Sequence, residues 1–570
     1  MHFYRFVPTQ FVSLLVAFCL ALEPAMAANR EPNRVPAEPS VVANKSLLQN
    51  DAAQTAFIEN QLSRLTLRQK VGQLFVFGFM GEDTDYGLGE TIRKLQPGGI
   101  IVFGRNIKSA RQLAALNFSA QRISKQMTEL PLLIAVDQEG GDVIRIHTSP
   151  PLPSALALGQ TQSAELAQQA GYHTGVLLKT LGFTMDLAPV MDVSDPKQYS
   201  FIGTRTFGKD PNVVALMGGS FASGLQRAGI LPTAKHFPGH GGVRGDSHQM
   251  TPEREVSLNE MLKQDLLPFA ALAKEKEPPA MMIAHVGFPK LDPTGLPATF
   301  SKTIVTDILR KRLGFNGVAI TDDLEMEGAA AVEDIGERAL MALDAGVDLL
   351  MFGWNKKLQA RAVEAVLEAA QSGRLTESRI DESLRRILHA KYRIIHQAPL
   401  QFPSDSLLLS VLRNSDLKRV SELTLADRFK TSITEIDREF LEAAPSHPVY
   451  VFSALNSFFQ SFHSERPKQN LKFFHLGAQA FDINKIMRAN PQAFGVFYLS
   501  GPTAAELANQ IQPDVAHRIL LVNTETQSVL RSPDSFRHII DVAFHHPDCG
   551  KMTAYYFFDP KYSAIARKEQ

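Results

Sequence analysis

Between residues 52 and 395 the chain repeats one pattern: a short apolar run, a turn rich in Gly, Pro or polar residues, then an amphipathic stretch. The apolar runs fall at 73–79, 99–103, 132–136, 183–190, 230–234, 280–284, 317–320 and 347–352, eight in all. They are continuous rather than alternating, which is how parallel strands read when helices cover one face and a core fills the other. Helix-like stretches at 164–181, 211–228, 257–273, 301–313 and 334–345 lie between them. Pro211 and Ser301 read as helix starts, and Gly182, Gly229, Gly314 and Gly346 as stops. Eight such units predict an α/β fold, a (β/α)8 TIM-like barrel over 51–395. An open, doubly wound parallel sheet is the alternative.

The pattern then changes. Residues 396–446 read as a helical linker. Apolar runs at 449–453, 471–476, 494–499, 519–522 and 539–544, separated by helical or loop segments, predict a smaller α/β domain over 447–570. No catalytic motif stands out in it. Cys549, which follows two histidines and a short turn, reads as part of a surface loop, with a metal site as the less favoured reading.

At the other end, Arg5 precedes an apolar run over 11–22, then Pro24 and Ala25-Met-Ala27. A basic start, a short apolar core and an Ala-x-Ala end describe a secretory signal peptide over 1–27. The run falls short of the roughly 20 apolar residues that span a bilayer as a helix, although an uncleaved anchor is the alternative. Residues 28–50, rich in Pro, Asn and Ala, read as a flexible leader. The expectation is an exported protein, periplasmic or extracellular, with no stable membrane insertion after cleavage. Cleavage there removes Cys19 and leaves Cys549 alone, so no disulfide or cysteine-based metal site follows despite export.

Composition narrows the class further. The 570 residues are 44% hydrophobic and 21% charged, with Lys+Arg and Asp+Glu both 59. A chain of this length and balance buries a substantial core, and with no basic stripe it gives no reason to expect a nucleic-acid partner.

Polar residues collect just past the predicted strand ends, where a barrel carries its active site. The third run leads into Asp137-Gln-Glu-Gly-Gly-Asp-Val-Ile-Arg145, and the fourth into Asp192 and then Arg205. The fifth leads into Lys235-His236-Phe-Pro-Gly-His240 and on to Asp246-Ser-His248; the sixth gives His285, and the seventh Thr321-Asp322-Asp323-Leu-Glu-Met326. Asp137 or Asp322 alone could be a helix N-cap. Capping does not explain Lys, Arg and His pairs on five loops.

A carboxylate and a histidine facing one pocket suit retaining glycoside hydrolysis, which needs a carboxylate nucleophile and a group that protonates the leaving oxygen and then deprotonates water. An imidazole with a pKa near 6.5 exists in both forms at working pH. Asp246, two residues from His248 in a Gly-rich loop, can orient the ring and stabilise its charged form. Arg145, Arg205 and Lys235 are long donors suited to sugar hydroxyls, with Asp137 to accept from them or to pair with a diol. His236, His240 and His248 with Asp246 are an alternative set of zinc ligands. Their spacing fits no standard helical zinc signature, and no Gly-x-Gly-x-x-Gly phosphate loop follows a strand. The expectation is no metal and no cofactor.

Lys235-His-Phe-Pro-Gly-His-Gly followed by Asp246-Ser-His248, with Thr321-Asp-Asp-Leu-Glu-Met326, resembles glycoside hydrolase family 3 in its bacterial β-N-acetylglucosaminidase branch. Ile134-Ala-Val-Asp-Gln-Glu-Gly-Gly141, Leu187-Ala-Pro-Val190 and Ala284-His-Val286 agree, and the resemblance covers about residues 55–390. It implies Asp322 as nucleophile, His248 as acid/base and Asp246 as its partner. It implies Asp137, Arg145, Arg205, Lys235 and His236 as the grip on N-acetylglucosamine. The implied substrates are N-acetylglucosamine-containing oligosaccharides, either muropeptides and other peptidoglycan fragments or chitin oligomers. Two positions depart from the pattern. Asp142 stands where the family usually has Arg, and Gly242-Val243 where it usually has Asp-Thr. Altered specificity is the favoured consequence. A phosphorylase using the same dyad and a non-catalytic cell-wall sugar-binding protein are the rivals.

Overall fold

The computed structural model describes residues 41–558, apart from Tyr86, Tyr199, Arg244, His248 and the segments 397–400, 434–435, 437–446, 466–470, 477–481, 526–528 and 531–534. The expected signal peptide lies outside the described residues, as do most of the expected leader and His248.

Eight short strands pair in parallel in chain order: β1 (Phe75–Phe77), β2 (Gly99–Ile101), β3 (Leu133–Val136), β4 (Met185–Asp186), β5 (Leu231–Phe237), β6 (Ala280–Ile283), β7 (Ala319–Asp323) and β8 (Leu349–Phe352). β1 also pairs with β8, Val76 opposite Met351, so the sheet closes on itself. The fold is therefore the (β/α)8 barrel, and the open sheet is excluded. Every residue of β1, β2, β3, β6 and β8 is buried, which is why these strands read as unbroken apolar runs. Phe75, Phe77 and Phe352 pack together, with centroids 5.5 Å and 5.9 Å from Phe75.

The helices start and stop where local chemistry directs. Asp210 caps Pro211–Ala228, accepting from Asn212 N, with Pro211 in the first turn and Gly229 left-handed at the end. The stretch expected as one helix over 257–273 is instead two, Leu258–Lys263 and Leu266–Ala273. Pro268 explains the break: it has no N–H for the Gln264 carbonyl, and its ring collides with that turn. The stretch expected at 301–313 forms a wide-turn helix, Thr303–Arg312, with π-type hydrogen bonding.

Beyond the barrel, helices Asp405–Leu412 and Ser415–Ile433 lead to a second, wholly parallel sheet. Its strands are β9 (Val449–Ser453), β10 (Leu471–His475), β11 (Phe494–Leu499), β12 (Ile519–Asn523) and β13 (His538–Asp541), in the order β10-β9-β11-β12-β13. Successive residues face opposite sides, so the sheet has two cores. Val449, Val451, Val496, Tyr498, Leu520 and Val522 enter one; Tyr450, Phe452, Phe497, Leu499, Ile519 and Leu521 enter the other. Cys549, read from sequence as a surface-loop residue, is buried and opens helix Cys549–Phe558. Among the described residues no helix is long and apolar enough to cross a membrane.

Candidate active site

The strands end in charged residues that find partners across the barrel mouth. Lys235, in β5, places its Nζ 2.9 Å from Asp137 Oδ1 and 2.6 Å from Glu139 Oε1, both just past β3. Arg205 donates to Glu139 through two nitrogens, at 2.8 and 2.9 Å. Arg145 lies 3.5 Å from Asp137 Oδ2. Glu139 and Lys235 are 3% exposed, whereas Asp137 and Arg145 keep 15% and 30% of their side-chain surface. The deep pair is thus sealed from solvent and the shallow pair is open to it.

Burial opposes charge on these groups, but their partners outweigh it. Glu139 is held at about 2, against the cost of burial, by Arg205 and Lys235. Lys235 is raised, against burial, by Asp137 and Glu139. At Asp186, at the end of β4, burial outweighs the pull of the Gln138 N–H and of Lys235. Burial drives its carboxyl well up, and although Gln138 N donates to Oδ1 at 3.0 Å, Oδ2 finds no partner among the described residues.

A second cluster centres on Asp192, fully buried past β4. Its Oδ2 accepts from His236 Nδ1 at 2.7 Å, and its Oδ1 accepts from His240 N at 2.6 Å. His240 Nε2 is 3.1 Å from Ser247 Oγ. Burial, and then His236, lower the His240 pKa and keep the ring neutral. His236 thus turns its ring onto the carboxylate, while His240 reaches it through its backbone N–H and turns its ring to Ser247. Among the described residues no group of His, Cys, Asp and Glu could hold a metal ion.

Asp322 lies near the end of β7, half-buried, with Asp323 N donating to its Oδ1 at 2.8 Å. Burial works against its carboxylate, but His285, His236, the Asp323 N–H and Lys235 lower its pKa below the ordinary value. It caps no helix; the next element is the short turn Glu327–Ala329. Asp323 is its opposite. Burial pushes it to about 7, although Glu325 N and Gly353 N donate to it at 3.0 Å. His285 Nε2 donates to Asp323 O at 3.1 Å and Nδ1 meets Thr299 Oγ1 at 2.8 Å. The two adjacent aspartates are thus shifted in opposite directions, Asp322 down by His285, His236 and Lys235 and Asp323 up by burial.

The structure brings Asp137, Arg145, Arg205, Lys235 and His236 together on the β3–β5 side, with Asp322 across from them on β7. Asp246 is half-buried in the loop after β5, and that loop meets the β7 loop where Gly328 N donates to Ser247 O at 2.9 Å. From sequence Asp192 is named at the end of the fourth run and Glu139 only within the motif after the third, and neither is given a role, although they organise the two clusters. Their one sequence signal is an acidic residue shortly after a buried strand. The departures from the family pattern also have partners. Asp142 Oδ2 accepts from Thr204 Oγ1 at 2.6 Å, beside Arg205. At Gly242 a side chain would meet the Arg254 guanidinium at 2.7 Å, and Val243 is buried in the barrel core.

A parallel barrel with carboxylates, histidines and paired cations at the ends of its strands is the setting of a glycosidase-type site. Residues 66–390 match the glycosyl hydrolase family 3 N-terminal domain, and the chain belongs to that family. A beta-hexosaminidase of Methylococcus capsulatus is 39% identical over 273 residues, 47% of this chain and 79% of the relative. One from Pseudomonas aeruginosa is 40% identical over 262 residues, 46% of this chain and 76% of the relative. The solved family 3 beta-N-acetylglucosaminidase of a Paenibacillus species superposes with a TM-score of 0.72 at 29% identity. That superposition covers 86% of this chain and 96% of the other, so the similarity extends through the second domain.

Proposed function

We propose that the protein is a retaining β-N-acetylhexosaminidase that releases terminal β-linked N-acetylglucosamine. The observation that carries this reading is Asp322: an ionised carboxylate at a barrel strand end, opposite Asp137, Arg145, Lys235 and His236. The Asp322 carboxylate attacks the anomeric carbon and forms a C1–O bond to the enzyme while the glycosidic C1–O bond breaks. His248 gives its proton to the departing oxygen, with Asp246 stabilising the charged imidazole. In the second step His248 takes a proton from water, which attacks C1 and frees the Asp322 carboxylate. His236 Nδ1 donates to Asp192, which in the neutral ring leaves Nε2 as an acceptor for a sugar hydroxyl. Arg145 and Asp137 offer a donor and an acceptor to the ring hydroxyls.

No step draws on a cofactor. The apolar run over 11–22 and Ala25-Met-Ala27 support export, which places the enzyme where peptidoglycan fragments and chitin oligomers are found.

The test is nitrophenol release from 4-nitrophenyl N-acetyl-β-glucosaminide by the mature protein and by Asp322→Ala. Wild-type turnover should fall roughly a thousandfold or more in the variant. In methanol-containing buffer the methyl glycoside formed should be the β anomer. Sugar binding without wild-type turnover overturns the enzyme reading, and an α product overturns retention.

A further inference from the structure

Outside the polar clusters, two aromatic rings stand at the mouth. Phe103 follows β2 and Trp354 follows β8; their rings stack with centroids 5.7 Å apart and planes 20° apart. The Arg105 guanidinium lies 3.8 Å from the Trp354 ring centroid and 4.3 Å from that of Phe103. Its Nε donates to Phe79 O at 3.1 Å and a terminal nitrogen to Gly353 O at 2.6 Å, so the cation is fixed beneath the rings. Trp354, the one tryptophan in the chain, is nevertheless 57% exposed.

The backbone carrying this ring is held from the β7 loop. Trp354 N and Asn355 N donate to Glu325 Oε1 at 2.9 and 3.1 Å, and Gly353 N donates to Asp323. The anchors are thus the first and third residues after Asp322. Met80, 62% exposed just past β1, continues the apolar rim between β8 and β2.

Around the barrel β7 lies between the two kinds of rim. The sugar-gripping residues occupy the β3–β5 side and the rings the β8–β1–β2 side. A sugar gripped on the first side, with its anomeric carbon at Asp322, directs its leaving group toward the second. A rigid aromatic ring with one backed face and one open face suits the C–H face of a pyranose, which is apolar on the face and polar at its edge.

We propose that Trp354, backed by Phe103 and Arg105, forms a second sugar subsite that takes the pyranose on the leaving-group side, so that the substrate class is an oligosaccharide. This rests on the hexosaminidase reading of the same site. The pyranose can come from a chitin oligomer or from a peptidoglycan disaccharide, and both share the stacking face.

Because Trp354 is alone of its kind, its emission reports the subsite directly. In full-length Asp322→Asn protein, which holds substrate without cleaving it, three ligands are titrated: N-acetylglucosamine, N,N′-diacetylchitobiose and the N-acetylglucosamine–anhydro-N-acetylmuramic acid disaccharide. The expected result is a saturable change with a disaccharide and none with the monosaccharide, the larger response identifying the source of the pyranose. Equal changes with monosaccharide and disaccharides, or none with either disaccharide, overturn the proposal. A second measurement compares kcat/KM on the disaccharide and on methyl N-acetyl-β-glucosaminide, whose aglycone is too small to reach the ring. Trp354→Ala should lower the disaccharide value about tenfold more than the methyl glycoside value, and Trp354→Phe should restore most of it. Equal losses, or no loss, count against the subsite. The emission titration needs no turnover. It therefore decides the subsite even if wild type cleaves neither substrate, the result that would overturn the hydrolase reading instead.

Discussion

Glu139 shows how much one carboxylate can hold at this mouth. It is buried between Lys235 and Arg205, and each cation is buried because Glu139 neutralises it. Glu139→Gln keeps the shape and removes the charge. Breaking a buried ion network from one side costs about 3–5 kcal/mol, because the remaining charges are left uncompensated. The urea midpoint should fall accordingly, and the Michaelis constant for an aryl N-acetylglucosaminide should rise as Arg205 and Lys235 relax. The pH dependence carries its own sign. Glu139 is depressed from an ordinary 4.5 to about 2, so its contribution is complete above about 4.5 and is lost as pH falls through about 2. Wild type should therefore lose more stability than Glu139→Gln between pH 5 and pH 3. Parallel loss in the two proteins would remove Glu139 from the account.

Helix Glu377–Ile395 places a lysine where its pattern gives no warning of one. Lys391 is wholly buried, its Nζ 2.6 Å from Gln73 Oε1, and burial lowers it from 10.5 to about 7. A group whose folded pKa lies below its unfolded pKa binds fewer protons when folded, so stability rises with pH between about 7 and 10.5. Lys391→Met should flatten that rise and add about 1–2 kcal/mol at pH 7, net of the partner lost by Gln73; an unchanged slope in chemical denaturation between pH 7 and 10 would refute it. The same limit bounds what could be read at this scale. Eight apolar runs announced eight strands because burial on both faces leaves an unbroken signature. The run over 183–190 yielded only Met185–Asp186 as strand, since Pro189 has no N–H to continue the ladder. Asp322, Lys235 and Arg205 could be singled out because they lie in or after the C-terminal ends of strands within recognisable motifs. Glu139 and Asp192 could be given no role, since an acidic residue after a strand looks like a cap. The partners that distinguish them are remote: Lys235 is nearly a hundred residues from Glu139, and His236 lies forty-four from Asp192.

At the scale of the molecule, the second sheet braces the loop that carries Asp137 and Arg145, two of the five residues proposed to grip the sugar. That loop leaves β3 at Asp137, passes Arg145 and ends at Ser154, whose Oγ donates to Ala543 O beyond β13 at 2.6 Å. On the way Ser149 N donates to Leu412 O at 3.2 Å, and Pro151 O accepts from Ser421 Oγ at 2.9 Å. Helix Ala155–Thr161 follows, and its Leu156 and Ala157 are buried in one core of the five-stranded sheet rather than in the barrel. Leu156→Ala opens a cavity at that junction and should cost about 2–5 kcal/mol. If the sheet positions the loop, the Michaelis constant for the aryl N-acetylglucosaminide should also rise roughly threefold or more while kcat holds, because the proposed reaction uses Arg145 and Asp137 to bind sugar and not for chemistry. Met487→Ala is the control. Met487 is as deeply buried, but in the core on the opposite face of the sheet, so its loss should lower stability comparably and leave the Michaelis constant alone. Equal Michaelis constants in the two variants would reduce the second domain to a stabilising mass, and a rise confined to Leu156→Ala would make it the support on which the sugar-binding loop is set.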